Sequence, residues 1–204
     1  MLMRHQIVIS VISVAASMAV LGCSSTPPTV YGQPSTAPAP LPTSAKPTPP
    51  PPAPRPSATA TATIRDLAGA RAGTVTFTEA YGGVIIVGNI TGLGLGAHAI
   101  HIHEAGKCQA PFTSAGTHFN PAGKHHGFLN PDGPHLGDLP NIDTPAAGRL
   151  HFEFMLAGAT LRGANAILDE DGASIVIHGS RDNYHTDPSG DSGSRIACGV
   201  ILLK

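Results

Sequence analysis

Tryptophan is absent from this 204-residue chain, and three tyrosines and six phenylalanines are all the aromatic residues it has. Charged residues make up only 12%. Without a basic stripe or an aromatic stacking platform, nucleic acid is excluded as a partner. The apolar run Ile7–Leu21 has fifteen residues, short of the roughly 20 that span a bilayer as a helix. Sustained helical periodicity is missing, and no repeat of solenoid length is visible. There are three cysteines, an odd number that needs explaining.

What is present is unevenly distributed. Thirteen of the twenty prolines fall between Pro27 and Pro56, and ten of the eleven histidines between His98 and His185. The start, Met1 to His5, is weakly basic and runs into the apolar stretch. That order predicts a secretory signal over residues 1–22. Val20-Leu21-Gly22-Cys23 resembles the bacterial lipobox. The resemblance implies cleavage before Cys23 and several acyl chains on it, enough for stable anchoring; ordinary secretion with a chance cysteine is the alternative. Residues 23–62 are rich in Pro, Thr, Ala and Ser and nearly uncharged. Such a segment cannot bury enough surface to offset its ordering entropy, so it reads as a disordered tether reaching at most ~120 Å.

Residues 63–204 read as one domain. They carry nine Lys and Arg against thirteen Asp and Glu, a formal charge of −4. Short β segments are expected at 62–67, 73–80, 84–91, 97–104, 149–156, 174–178 and 196–203, with glycine at nearly every junction. Short strands at such spacing predict an all-β antiparallel sandwich or barrel.

Seven histidines lie between Ala97 and Asp138. His101 and His103 sit two apart in an alternating run, so strand geometry projects both imidazoles from one face while Ile100 and Ile102 point the other way. His118, His126, His135 and Asp138 follow in a loop dense in Gly, Pro and Asn. A strand giving two nitrogens and a loop giving three more and a carboxylate point to one metal site or two. Cys108 and Cys198 stand in the globular part, and the simplest arithmetic joins them, with Cys23 given a separate fate. A bridge of that kind implies an oxidising compartment.

Taken together, His101-Ile-His103-Glu, Gly116-Thr-His118-Phe-Asn-Pro, His126-Gly, His135-Leu-Gly-Asp138, Ile177-His178 and Ser194-Arg195-Ile-Ala-Cys198-Gly resemble the copper/zinc superoxide dismutases over residues 60–204. The resemblance implies an eight-stranded Greek-key sandwich or flattened barrel with long metal-binding loops. It implies copper held by His101, His103, His118 and His178, and zinc by His118, His126, His135 and Asp138, with His118 shared. Asp182 matches a carboxylate linking a copper-side to a zinc-side histidine. In the activity so implied, superoxide is alternately oxidised to oxygen and reduced to hydrogen peroxide as copper cycles between Cu(II) and Cu(I). His118 would deliver the proton and Arg195 would dock the anion. The Cys108–Cys198 disulfide belongs to the family pattern too.

Other histidines are expected outside the site. His98 reads as hydrogen-bonded within the sandwich, and His151 and His185 as surface residues. His125 reads as a solvated neighbour of His126, with a one-residue ambiguity in the zinc ligand. Glu104 reads as a fold or loop residue. Thr117 departs from the family, where proline is frequent. The reading as a whole is an exported superoxide dismutase, lipid-anchored in the bacterial cell envelope on its periplasmic or extracytoplasmic side. A homodimer is left open. The other candidate is a copper- or zinc-holding module on the same scaffold without turnover.

Overall fold

The structure is a computed structural model that describes residues 57–204. The residues read as a signal, Cys23 and all but the last residues of the stretch read as a tether lie outside the described residues. The described residues form nine strands in order: β1 (Thr59–Asp66), β2 (Arg71–Ala80), β3 (Gly83–Thr91), β4 (Gly96–His98), β5 (Ile100–His103), β6 (Ile142–Thr144), β7 (Arg149–Ala157), β8 (Ser174–His178) and β9 (Arg195–Leu203). Seven form one antiparallel sheet in the order β5-β8-β9-β1-β2-β3-β7, and β4 and β6 form a separate ribbon. β1, β2 and β3 are a simple meander, whereas β9 returns to lie beside β1 and β7 pairs with β3 after the long excursion. The sheet curls over its core, as the antiparallel Greek-key reading requires.

Nine strands rather than eight come from a break at Ala99 in the run expected over 97–104. β4 pairs with β6 while β5 pairs with β8, so one stretch of chain serves two sheets. Counted as one interrupted strand, the total returns to eight. β1 also starts at Thr59, so its first four residues come from the stretch whose composition read as tether. The reason is local: in Thr59-Ala60-Thr61-Ala62 the alanines face inward, fully buried, and the threonines face out. An Ala/Thr alternation is a strand pattern as well as a low-complexity one.

Alternation builds the interior. Ile64, Val75, Phe77, Val84, Ile86 and Ile90 point inward from β1–β3, Leu150, Phe152 and Leu156 from β7, and Ile175, Ile177 and Ile201 from β8 and β9. Each such side chain, removed from water, contributes about 1.5–3 kcal/mol. With so few aromatics, each is given room. Gly88 stands opposite Phe152 in the β3–β7 register, and a side chain there would collide with the Phe152 ring. Ile100 and Ile102 enter the same core from β5, which leaves His101 and His103 directed to the other face.

Candidate metal centre

β5 is the edge of the large sheet, and the long loop after it folds back to cover that edge. Phe119 donates its N–H to the Ile102 carbonyl at 2.9 Å, Ile102 to Gly137 at 2.9 Å, and Gly137 to Phe119 at 2.8 Å. Isolated bridges pair His103 with His118 and His101 with Asp138. Two strand histidines thereby lie beside two loop residues far along the chain. Gly137 is required at this crossing, since a Cβ would run into the Ile102 carbonyl.

His101, His103, His118 and His178 each offer a ring nitrogen within 4.8 Å of the others, and all four are buried. The remaining nitrogen of each ring has a partner. His101 Nε2 donates to Asp182 Oδ2 at 2.9 Å, His103 Nδ1 to the Gly116 carbonyl at 3.0 Å and His118 Nδ1 to Asp138 Oδ1 at 2.9 Å. His178 Nδ1 lies 3.0 Å from Ser192 Oγ. The two carboxylates and the carbonyl fix three tautomers, and the Gly193 carbonyl 3.4 Å from His178 Nδ1 favours the same one there, which leaves His101 Nδ1, His103 Nε2, His118 Nε2 and His178 Nε2 as bare lone pairs. Among the described residues six buried side-chain polar atoms lack a hydrogen-bond partner, and four of them are these nitrogens.

The adjoining cluster is organised around a carboxylate. Asp138 Oδ1 lies 2.9, 3.0 and 3.3 Å from the Nδ1 atoms of His118, His126 and His135. Its Oδ2 accepts the backbone N–H groups of Gly127 and His135 at 2.9 and 3.0 Å. His101 also has a ring nitrogen within 4.8 Å of His118, His126 and Asp138. Its Nε2 is committed to Asp182 and its Nδ1 faces the four-imidazole cluster, so His135 is the better fourth member here. Asp182 joins the two halves, accepting from His101 through Oδ2 and from His126 Nε2 through Oδ1 at 3.0 Å.

Burial sets the electrostatics. Loss of water lowers His103 well below its ordinary value and brings His118 to about 4 and His178 to about 3. His126 suffers the same desolvation, but its hydrogen bonds to Asp138 and Asp182 overcome it and raise the ring to about 9. Desolvation likewise pushes both carboxyl groups up, yet hydrogen bonds from the surrounding histidines hold Asp138 and Asp182 below the usual carboxylate range.

Arg195 opens β9 beside this cluster. Its two terminal nitrogens donate to the carbonyls of Phe112 and Gly116, each at 2.7 Å. A disulfide joins Cys108 to Cys198 and packs with Phe112, Ala115 and Val176 in a small core of its own. The segment holding the arginine is thus tied to the last strand.

The remaining histidines are elsewhere. His98 places its ring nitrogens 2.9 and 2.8 Å from the carbonyls of His178 and Gly94. His125 is 60% exposed and faces Asp187 at 3.5 Å, which removes it from the carboxylate cluster. His151 and His185 are exposed. Two contributors escape sequence reasoning. Ser192 is fully buried against His178. Asn141 holds Asp182 in place by accepting its N–H at 2.7 Å and donating to its carbonyl at 2.9 Å. Neither residue type carries a ligand signal, and only a polar residue beside a histidine motif would have marked them.

Comparison with known proteins shows the family. Residues 71–201 match the family model described as copper/zinc superoxide dismutase. The chain belongs to the copper/zinc superoxide dismutases. A relative from Aquifex aeolicus, superoxide dismutase [Cu-Zn] 2, is 47% identical over 133 residues, covering 63% of this chain and 78% of the relative. The superoxide dismutase [Cu-Zn] of Caulobacter vibrioides is 47% identical over 138 residues, 65% of this chain and 79% of that one. Among solved structures, a double mutant of a SOD-like protein from Bacillus subtilis matches with a TM-score of 0.67 and 40% identity, over 71% of this chain and 97% of that chain. Superoxide dismutation is the activity of the family, and copper and zinc are the metals it implies.

Proposed function

We propose that the four-imidazole cluster holds copper through His101 Nδ1 and the Nε2 atoms of His103, His118 and His178. The carboxylate cluster of His118, His126, His135 and Asp138 holds zinc. One observation carries this reading: four buried lone pairs converge with nothing among them able to donate. Unpaired acceptors in a dry site are costly, and a cation that takes imidazole nitrogen removes the cost. All-imidazole coordination suits copper, and three nitrogens with one carboxylate suit zinc.

Bound there, copper would supply the Cu(II)/Cu(I) couple that dismutation of superoxide requires. The protein's own residues do the rest. Arg195, held by two main-chain carbonyls and part-buried, offers a charged fork to an incoming anion, which a domain of formal charge −4 otherwise repels. His118 presents one nitrogen to each half: Nε2, which could hold a proton for the reduced anion when copper does not take that lone pair, and Nδ1, which lies among the proposed zinc donors. Asp182 orients the rings of His101 and His126 from behind. The export segment and Cys23 support placement of the enzyme as a lipoprotein of the bacterial envelope, on its periplasmic or extracytoplasmic side, where it would protect against superoxide.

The test is metal analysis paired with superoxide consumption. Copper and zinc are each expected in equal amount to the chain, with activity abolished when copper is chelated; a fully loaded protein unable to consume superoxide would overturn the reading. Arg195→Ala should keep both metals, slow turnover by about tenfold or more and flatten its salt dependence. For the anchor, labelled fatty acid should enter the wild type and fail to enter Cys23→Ser.

A further inference from the structure

The Gly116–Thr117 peptide is held from both sides. Its carbonyl oxygen accepts from His103 Nδ1 at 3.0 Å and from Arg195 at 2.7 Å. Its N–H, the amide of Thr117, donates to Glu104 Oε1 at 2.9 Å. The other carboxylate oxygen of Glu104 accepts the Thr117 hydroxyl at 2.9 Å, and the Glu104 N–H donates to the Thr117 carbonyl at 3.0 Å. Gly116 has a φ of 78° and ψ of −152°, a conformation reserved for glycine. A Cβ there would stand 2.6 Å from Glu104 Oε1, so the carboxylate lies directly against the bend.

We propose that Glu104 is a positioning residue for anion docking, acting through the Gly116–Thr117 peptide on Arg195 and His103. The inference rests on the roles given above to those two residues. A carboxylate accepting the N–H of a peptide polarises it, and the carbonyl of that same peptide becomes the stronger acceptor. The bond to Arg195 is thereby shortened and aimed, and the Nδ1 proton of His103 is held firmly so that Nε2 keeps its lone pair forward. Thr117 supplies both groups that Glu104 grips, the N–H and the hydroxyl, and a proline at this position would have neither. Both side-chain hydrogen bonds of Glu104 go to Thr117, none to the four bare nitrogens or to Arg195. It is also a negative charge close to an anion's path, so any electrostatic effect of its own runs opposite to the positioning effect.

That opposition supplies the test. Azide affinity would be measured by visible absorption on the copper- and zinc-loaded full chain, in wild type, Glu104→Ala, Glu104→Gln, Thr117→Val and Arg195→Ala. Exchange of the Thr117 amide in the metal-free chain gives a readout independent of copper. Glu104→Ala should weaken azide binding by about fivefold to tenfold and expose the Thr117 amide to exchange. Glu104→Gln, which still accepts that N–H, should stay within about twofold of wild type. Thr117→Val keeps the N–H and loses the hydroxyl, and should weaken binding by about twofold to threefold, which keeps the idea testable if Glu104→Ala does not fold. Azide bound as tightly as in wild type, or more tightly, by Glu104→Ala beside a weakened Arg195→Ala overturns the clamp alone. Unchanged binding in Arg195→Ala removes the docking role itself and the proposal with it.

Discussion

The two halves of the centre share His118 and are built on opposite plans. Three of the four imidazoles in the first stand on β5 and β8, inside a hydrogen-bonded sheet, and turn bare nitrogens toward a common point. The second is made of loop residues gathered by one carboxylate, and its short contacts are already satisfied without any cation. A strand-borne site exists because the sheet exists. A loop-borne site has to make its own order, and Asp138 does so by gripping two backbone N–H groups as well as three rings. The first half should therefore survive as geometry when a member is lost, whereas the second should collapse.

The sharpest way to break that contrast is one deletion on each side. Asp138→Ala leaves a buried imidazolium at His126 with half its partners gone and two loop N–H groups unpaired. Metal-free stability should fall by about 3–5 kcal/mol in urea titration, and bound zinc should disappear. His178→Ala should lose copper and superoxide consumption, keep zinc, and cost less than half as much stability. Equal destabilisation by the two would show that the halves depend on the sheet alike.

Acidity sharpens the same comparison in the metal-free protein, because protons act on the halves in opposite senses. His118 and His178 titrate at about 4 and about 3 when folded, below the ordinary histidine value near 6.5. Between those values the unfolded chain binds more protons, so stability is present above about pH 6.5 and is lost as pH falls toward 3 to 4. The loss should amount to about 3 kcal/mol or more. His126 titrates at about 9 when folded. The folded chain then holds the extra proton between about pH 6.5 and 9, and that stabilisation is lost on the alkaline side. Urea unfolding of the metal-free chain should accordingly be hardest near pH 6.5 and easier at both pH 4.5 and pH 9.5. A stability that rises steadily from pH 6.5 to 9.5 would show that no proton is held between Asp138 and Asp182.

How much of this was legible beforehand follows from range. Every long strand could be read, since apolar alternation over five or more residues is a local property of the chain. β6 could not: Ile142–Thr144 is three residues long and exists only because β4 lies beside it. The Ala99 break does leave a local sign, since Ala99 and Ile100 in succession put His98 out of phase with His101, but nothing local says that the two belong to different sheets. The ligand candidates were conspicuous because six of the eleven histidines fall in short motifs at metal-ligand spacing. Asn141, Ser192 and the grip of Glu104 on Thr117 were not, because a hydroxyl or an amide gains its role only from the partner that folding delivers, 41 residues away for Asn141 and Asp182.

Ser192 gives the finest test of the strand-borne half. Three of its four rings are held from behind by acceptors that cannot be mistaken, two carboxylates and a carbonyl. His178 relies on the Ser192 hydroxyl at 3.0 Å, with the Gly193 carbonyl at 3.4 Å as the only other acceptor among the described residues. A bond of 3.4 Å is long for an N–H donor, so Ser192→Ala should leave the ring free to turn. Copper affinity, read by competition with a chelator, should fall by about tenfold, at the low end for such outer partners. Zinc affinity should not change, since no Ser192 contact reaches the carboxylate cluster. Ser192→Thr keeps the hydroxyl and should restore copper binding. If Ser192→Ala binds copper as tightly as wild type, the main-chain carbonyl alone orients His178, and the sheet side of the centre needs no side chain to hold its rings from behind at that position.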